Sequence, residues 1–115
     1  MNRYLTVNRL EFVVTYLCNS RCRHCQQGDT RAKKYPAHVN RDLAVEIVSK
    51  VGGKYCPGSV MTFGGEPMLF PEVACAVHEE ATRAGIPLRQ VITNGFWSDR
   101  EEKIQEIAGN LARSG

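Results

Sequence analysis

Three short β-prone runs, each followed by a loop and then a helical stripe, constrain this chain more than any other feature of it. Residues 11–17 (EFVVTYL) are rich in β-branched and aromatic side chains and read as a buried strand. Residues 60–63 form a second run, announced by the turn pair Pro57-Gly58. Residues 90–93 form a third, bounded by Pro87 before and Asn94-Gly95 after. The 3.6-residue period predicts a first helix over 41–51, with Asn40 as N-cap and a stripe of Leu43, Ala44, Ile47, Val48 and Val51 that stops at Gly52-Gly53. A second helix is expected over 71–84, with Pro71 in the first turn, where a missing N–H does no harm. Its stripe is Val73, Ala74, Val77, Ala81 and Ala84, and Gly85 stops it. A third is expected over 99–112, opened by Ser98 and Glu101 as a capping box and carrying Ile104, Ile107, Ala108 and Leu111.

Strands separated by helices run parallel, with right-handed crossovers. The fold class is therefore α/β: three βα units in a three-stranded parallel sheet, about half the wall of a TIM-like barrel. With 115 residues the chain holds one small domain, far short of the roughly 250 that a complete eight-unit barrel needs. A lone three-stranded parallel sheet has two open edges and little cover on one face. A fourth strand is expected to begin where the chain stops, at Ser114-Gly115.

The net charge of +3 is too weak to call for a nucleic-acid partner. Arg21, Arg23, Arg31, Lys33, Lys34 and Arg41 nonetheless fall in one stretch, opposed there by Asp29. Such a run is ordinarily a solvated loop, and its functional alternative is a positive field for an anionic ligand. Residues 1–10 alternate polar and apolar and have no h-region, so no signal peptide is read. No apolar run approaches the roughly 20 residues that cross a bilayer. The expectation is a soluble cytoplasmic protein. In that reducing setting, three of the five cysteines lying within 18–25 suggest metal binding rather than disulfides.

In parallel α/β folds the loops after the strands' C-terminal ends carry the active site. That rule selects residues 18–28, 64–68 and 93–97, which should converge on one face. The first contains Cys18, Cys22 and Cys25 in a C-x3-C-x2-C spacing. Thiolates suit iron–sulfur clusters or zinc. Structural zinc takes four protein ligands, and a [4Fe–4S] cluster usually takes four cysteines. Either a fourth ligand comes from elsewhere or one iron stays open. His24 has the right type for zinc but adjoins Cys25. Cys56 precedes the second strand, and Cys75 lies on the second helix, off its stripe; both read as incidental thiols.

Cys18-x3-Cys22-x2-Cys25 after a first strand resembles the signature of the radical S-adenosylmethionine (radical SAM) superfamily. The resemblance implies that the three cysteines ligate a [4Fe–4S] cluster whose fourth iron binds the amino and carboxylate groups of SAM. It also puts His24 in the position, usually aromatic, whose backbone lies near the adenine. Gly64-Gly65-Glu66-Pro67 is similar to the family's GGEP motif in sequence and placement. Two glycines let backbone approach a ligand closely, and a carboxylate with exposed carbonyls can accept hydrogen bonds from an ammonium group. Pro67 stiffens the turn. Thr93-Asn94-Gly95 resembles the TNG found after the family's third strand, although Asn-Gly is also a common turn pair. Phe96 and Trp97 are expected to pack on the third helix, and His38 and His78 read as surface residues.

The resemblance implies reductive cleavage of SAM to a 5′-deoxyadenosyl radical, an oxygen-sensitive cluster and a one-electron donor such as flavodoxin or ferredoxin. It makes the chain the N-terminal part of a six-unit partial barrel, with the substrate open. A cluster-binding module without catalysis is the second reading, and a zinc-binding module the third.

Overall fold

The computed structural model describes residues 6–25 and 35–115. Arg31, Lys33, Lys34 and Asp29 of the basic stretch, residues 1–5, and residues 26–28 of the cysteine segment lie outside the described residues. The elements are β1 (Arg9–Thr15), α1 (Arg41–Tyr55), β2 (Ser59–Gly64), a 3-10 turn (Pro67–Leu69), α2 (Pro71–Arg83), β3 (Leu88–Val91) and α3 (Glu101–Ser114). The three strands form one sheet in the order β1-β2-β3, and both pairings are parallel. Arg9 sits opposite Ser59, Ser59 opposite Leu88, and the β1–β2 register slips between Val13 and Thr15. These are the three βα units of a partial α/β barrel.

β1 ends at Thr15 rather than residue 17 because the backbone there takes other partners. Leu17 donates its N–H to Thr15 Oγ1, while the carbonyls of Thr15 and Leu17 accept from Gly65 and Glu66. β3 likewise starts directly after Pro87 and ends at Val91, although Ile92 still donates to Thr62 O.

Capping explains the helix ends. Asn40 Oδ1 accepts from Leu43 N–H at 2.9 Å, and Pro71 opens α2 as expected. Gly52-Gly53 does not stop α1, which runs on to Tyr55 and closes with Cys56 in the left-handed conformation. Gly52 is a contact: a Cβ there would lie 2.9 Å from Ala84 Cβ, so only glycine brings α1 this close to the end of α2. The buried face of α1 is Ala44, Val48 and Gly52, whereas Leu43 and Ile47 are 53% and 38% exposed. α3 begins at Glu101 without a side-chain cap. Ser98 Oγ instead accepts from Arg100 N–H, a tight turn outside the helix and not a capping box.

Two apolar clusters lie between sheet and helices. One joins Phe12 and Val60 to Ala44, Val48, Val77, Ala81 and Ile86. The other joins Val14 to Met68, Val73, Ala74 and Ile107, with Trp97 and Leu111 packed against it. The second cluster lies under the C-terminal end of β1, where the loops gather. His78, expected at the surface, is 5% exposed on the sheet-facing side of α2 and hydrogen-bonds Thr62 Oγ1 at 2.8 Å. His38 is half-buried and rests on Phe70. No helix among the described residues is long and apolar enough to cross a membrane.

Candidate functional site

The loops after β1, β2 and β3 are stitched together at one end of the sheet, and Glu66 is the centre of the stitching. It is 1% exposed. Its Oε1 accepts from Met68 N–H at 3.1 Å and Thr93 Oγ1–H at 2.6 Å, and its Oε2 accepts from Asn94 N–H at 2.7 Å. A buried carboxyl group needs such partners, because an unmade hydrogen bond there would be costly. Three protein donors already occupy it, and it faces the chain rather than solvent.

The glycine pair answers to the same packing. A Cβ on Gly65 would stand 2.0 Å from Leu17 O, and one on Gly64 would stand 2.2 Å from Thr15 O; Gly64 also has φ +144°. The close approach read from the sequence is therefore, in this structure, an approach of the chain to itself. The backbone leaving β1 lies directly on the backbone leaving β2. Pro67 is buried at the start of the 3-10 turn, with Glu66 as its N-cap.

Thr93 Oγ1 donates to Glu66 and accepts from Gly95 N–H and the indole Nε1–H of Trp97, at 3.1 and 2.8 Å. Trp97 thus packs toward α3 as expected, whereas Phe96 is exposed. Asn94 Nδ2 donates to Asn19 Oδ1 at 2.7 Å and Ser20 Oγ at 3.0 Å. Sequence reasoning passed over Asn19 and Ser20, which carry no motif beyond lying between two cysteines.

The cysteine loop itself is open. Cys22 and His24 are exposed, while Cys18 and Cys25 are half-buried. Ser20 N–H donates to Cys18 Sγ at 3.4 Å, and Cys25 N–H closes a turn on Cys22 O at 3.2 Å. Among the described residues, no three His, Cys, Asp or Glu side chains are gathered into a metal-holding group. The donor set still suits a soft metal centre: three thiols share one short loop, and a backbone N–H already points at one sulfur. Cys56 is exposed at the end of α1, before β2 and so at the opposite end of the sheet. Cys75 lines a groove between α2 and α3, where burial pushes its thiol pKa up against an opposing hydrogen bond with Ser114.

Beside the loops, a cleft of about 300 Å³ is walled by Val13, Tyr16, Tyr35 and His38. Tyr16 and Tyr35 are in ring contact at 4.7 Å.

The family model for the radical SAM superfamily matches residues 12–113. The protein YfkA of Bacillus subtilis (strain 168) is 35% identical over 65 residues, 56% of this chain and 17% of that protein. A GTP 3′,8-cyclase of Actinobacillus pleuropneumoniae serotype 7 (strain AP76) is 28% identical over 103 residues, covering 87% of this chain and 29% of the cyclase. The serotype 3 (strain JL03) cyclase is 27% identical over the same length. The chain thus spans less than a third of each of these relatives.

Proposed function

The chain belongs to the radical SAM superfamily, and from that premise we propose that it holds a [4Fe–4S] cluster on Cys18, Cys22 and Cys25 and binds SAM among its three loops. The observation that carries this reading is the convergence of those loops on one end of a parallel sheet, tied through Glu66, Thr93 and Asn94 to the loop bearing the thiols. Three thiolates for four irons leave one iron for an external ligand, a role suited to the amino and carboxylate groups of SAM. When bound, the cluster would supply the electron for reductive cleavage of SAM to a 5′-deoxyadenosyl radical.

The residues divide the remaining work. The backbone carbonyls of Gly64 and Gly65 and the remaining acceptor site of the Glu66 carboxylate are the groups proposed to receive the SAM ammonium hydrogens, three donors of the chain already being held by Glu66. His24, exposed one position before Cys25, is placed for backbone contact with the adenine. Pro67 fixes the direction in which the second loop leaves the site. A flavodoxin- or ferredoxin-type protein is the proposed electron donor, and the reducing cytoplasm is the proposed setting. The activity is that of a radical SAM enzyme to which this segment contributes cluster and SAM binding.

The test is anaerobic reconstitution with iron and sulfide, followed by electron paramagnetic resonance of the reduced protein with and without SAM. About four irons per chain and a spectrum altered by SAM are expected. A cluster indifferent to SAM would leave only a non-catalytic cluster module. A colourless protein holding one zinc would defeat both.

A further inference from the structure

The hydrogen bonds around Glu66 continue past the second and third loops and end inside the cysteine loop. Asn94 is fixed first through its backbone, whose N–H is held by the buried Glu66 Oε2 at 2.7 Å. Its side chain then spends both amide hydrogens on Asn19 Oδ1 and Ser20 Oγ, and its Oδ1 accepts from Phe96 N–H at 2.9 Å. Asn19 returns the contact by donating Nδ2 to Phe96 O at 2.8 Å. Asn19 and Ser20 lie between Cys18 and Cys22, and it is the Ser20 N–H that points at Cys18 Sγ.

We propose that Asn94 is a positioning residue for the cysteine loop, hanging the Cys18–Cys22 span on the buried Glu66 carboxyl group by way of Asn19 and Ser20. Asn94 and Asn19 are exposed, so each bond taken alone contributes modestly. The arrangement acts because the Asn94 backbone is already ordered by β3 and Glu66. Ordering the cysteine loop against it therefore costs less conformational entropy than ordering two free loops. This assigns Asn94 a role besides contact with SAM, carried by the two amide hydrogens it uses within the chain. The geometry is independent of any metal; only the consequence for a cluster rests on the function proposed above.

The test compares Asn94→Ala, Asn19→Ala and the double variant with the unaltered chain. In the metal-free protein, hydrogen–deuterium exchange of the amides of residues 19–22 should quicken about fivefold in either single variant, the equivalent of about 1 kcal/mol. Exchange in α1 and α2 should not change. The double variant should exceed either single by less than the product of the two effects, because Asn94 and Asn19 share one contact while each keeps one of its own, to Ser20 Oγ and to Phe96 O. Unchanged exchange, or effects that add, would overturn the proposal. After anaerobic reconstitution, Asn94→Ala should retain less iron and give a broadened or shifted spectrum of the reduced cluster. Full retention with an unaltered spectrum would also overturn it. If the unaltered chain takes up no iron, the reading of the cysteines fails while the exchange comparison still decides the strut. Should Asn94→Ala not fold, Asn19→Ala removes the same contact from the exposed loop.

Discussion

The loop after β2 and the loop after β1 stand side by side and are built in opposite ways. The first is closed on itself and on its neighbours: Gly65 and Glu66 donate backbone N–H groups to Thr15 and Leu17, and the buried Glu66 side chain accepts three hydrogen bonds from the chain. The cysteine loop has short turn contacts of its own, exposes Cys22, and leans on Asn94 from outside. One loop is finished by the polypeptide. The other is left accessible with its thiols not gathered, as expected of a segment whose remaining order would come from a ligand. Substitutions in the loop after β2 should therefore damage the fold, and substitutions of the thiols should damage ligand binding alone.

The sharpest way to break the contrast is Gly65→Ala. The added carbon would meet Leu17 O at 2.0 Å, a backbone atom that cannot swing aside. Loss of about 3 kcal/mol of stability is expected in denaturant unfolding. A variant as stable as the parent would show that the exit of β1 yields easily, and the second loop would no longer count as rigid. Glu66→Ala should come next. It strands the N–H groups of Met68 and Asn94 and the hydroxyl of Thr93. About 2 kcal/mol is expected, together with faster amide exchange in the third loop. Stability within about 0.5 kcal/mol of the parent would mean that water replaces the carboxyl group and that the tie is not structural.

The two loops also differ in how far they could be read from the sequence. The succession of strands and helices along the chain, Pro71 and the Asn40 cap were legible because each depends on neighbours a few positions away. The motif Gly64 to Pro67 was legible as a motif, but its physical content was not. The partners of Glu66 stand at Thr93 and Asn94, 27 and 28 positions away, and no local pattern announces them. The same limit explains α1. Its apolar residues fill more than one face, so periodicity permits both the 43/47/51 and the 44/48/52 stripe, and packing of Gly52 on Ala84 decides for the second. His78 reads as a surface residue because no partner for it is apparent nearby in the sequence. Its burial follows from facing Thr62 on the central strand.

That histidine offers a gentler test of the scaffold, away from the loops. Burial first, and the Arg89 charge second, hold its pKa below the ordinary histidine value. The unfolded chain therefore binds the proton more readily than the folded one. Its contribution to stability is full above about pH 6.5 and declines as pH falls from there toward the depressed folded pKa. Unfolding midpoints should drop across that window, and His78→Gln should flatten the slope there. A parent slope unaffected by the substitution would place the acid sensitivity elsewhere.

Cys22→Ala should change the fold least, and it probes the open loop directly. The side chain is exposed, sits in no disulfide, and is absent from both apolar clusters. Truncating it should move the stability of the metal-free chain by no more than about 0.5 kcal/mol. Iron retained after reconstitution should nonetheless collapse, since two thiols cannot do the work of three. The separation of these two readouts is the decisive feature. A destabilised chain would mean that Cys22 carries structure and that the loop is more finished than its exposure indicates. A stable chain that still retains its iron would remove Cys22 from the ligand set and leave the contrast between the loops without a chemical purpose.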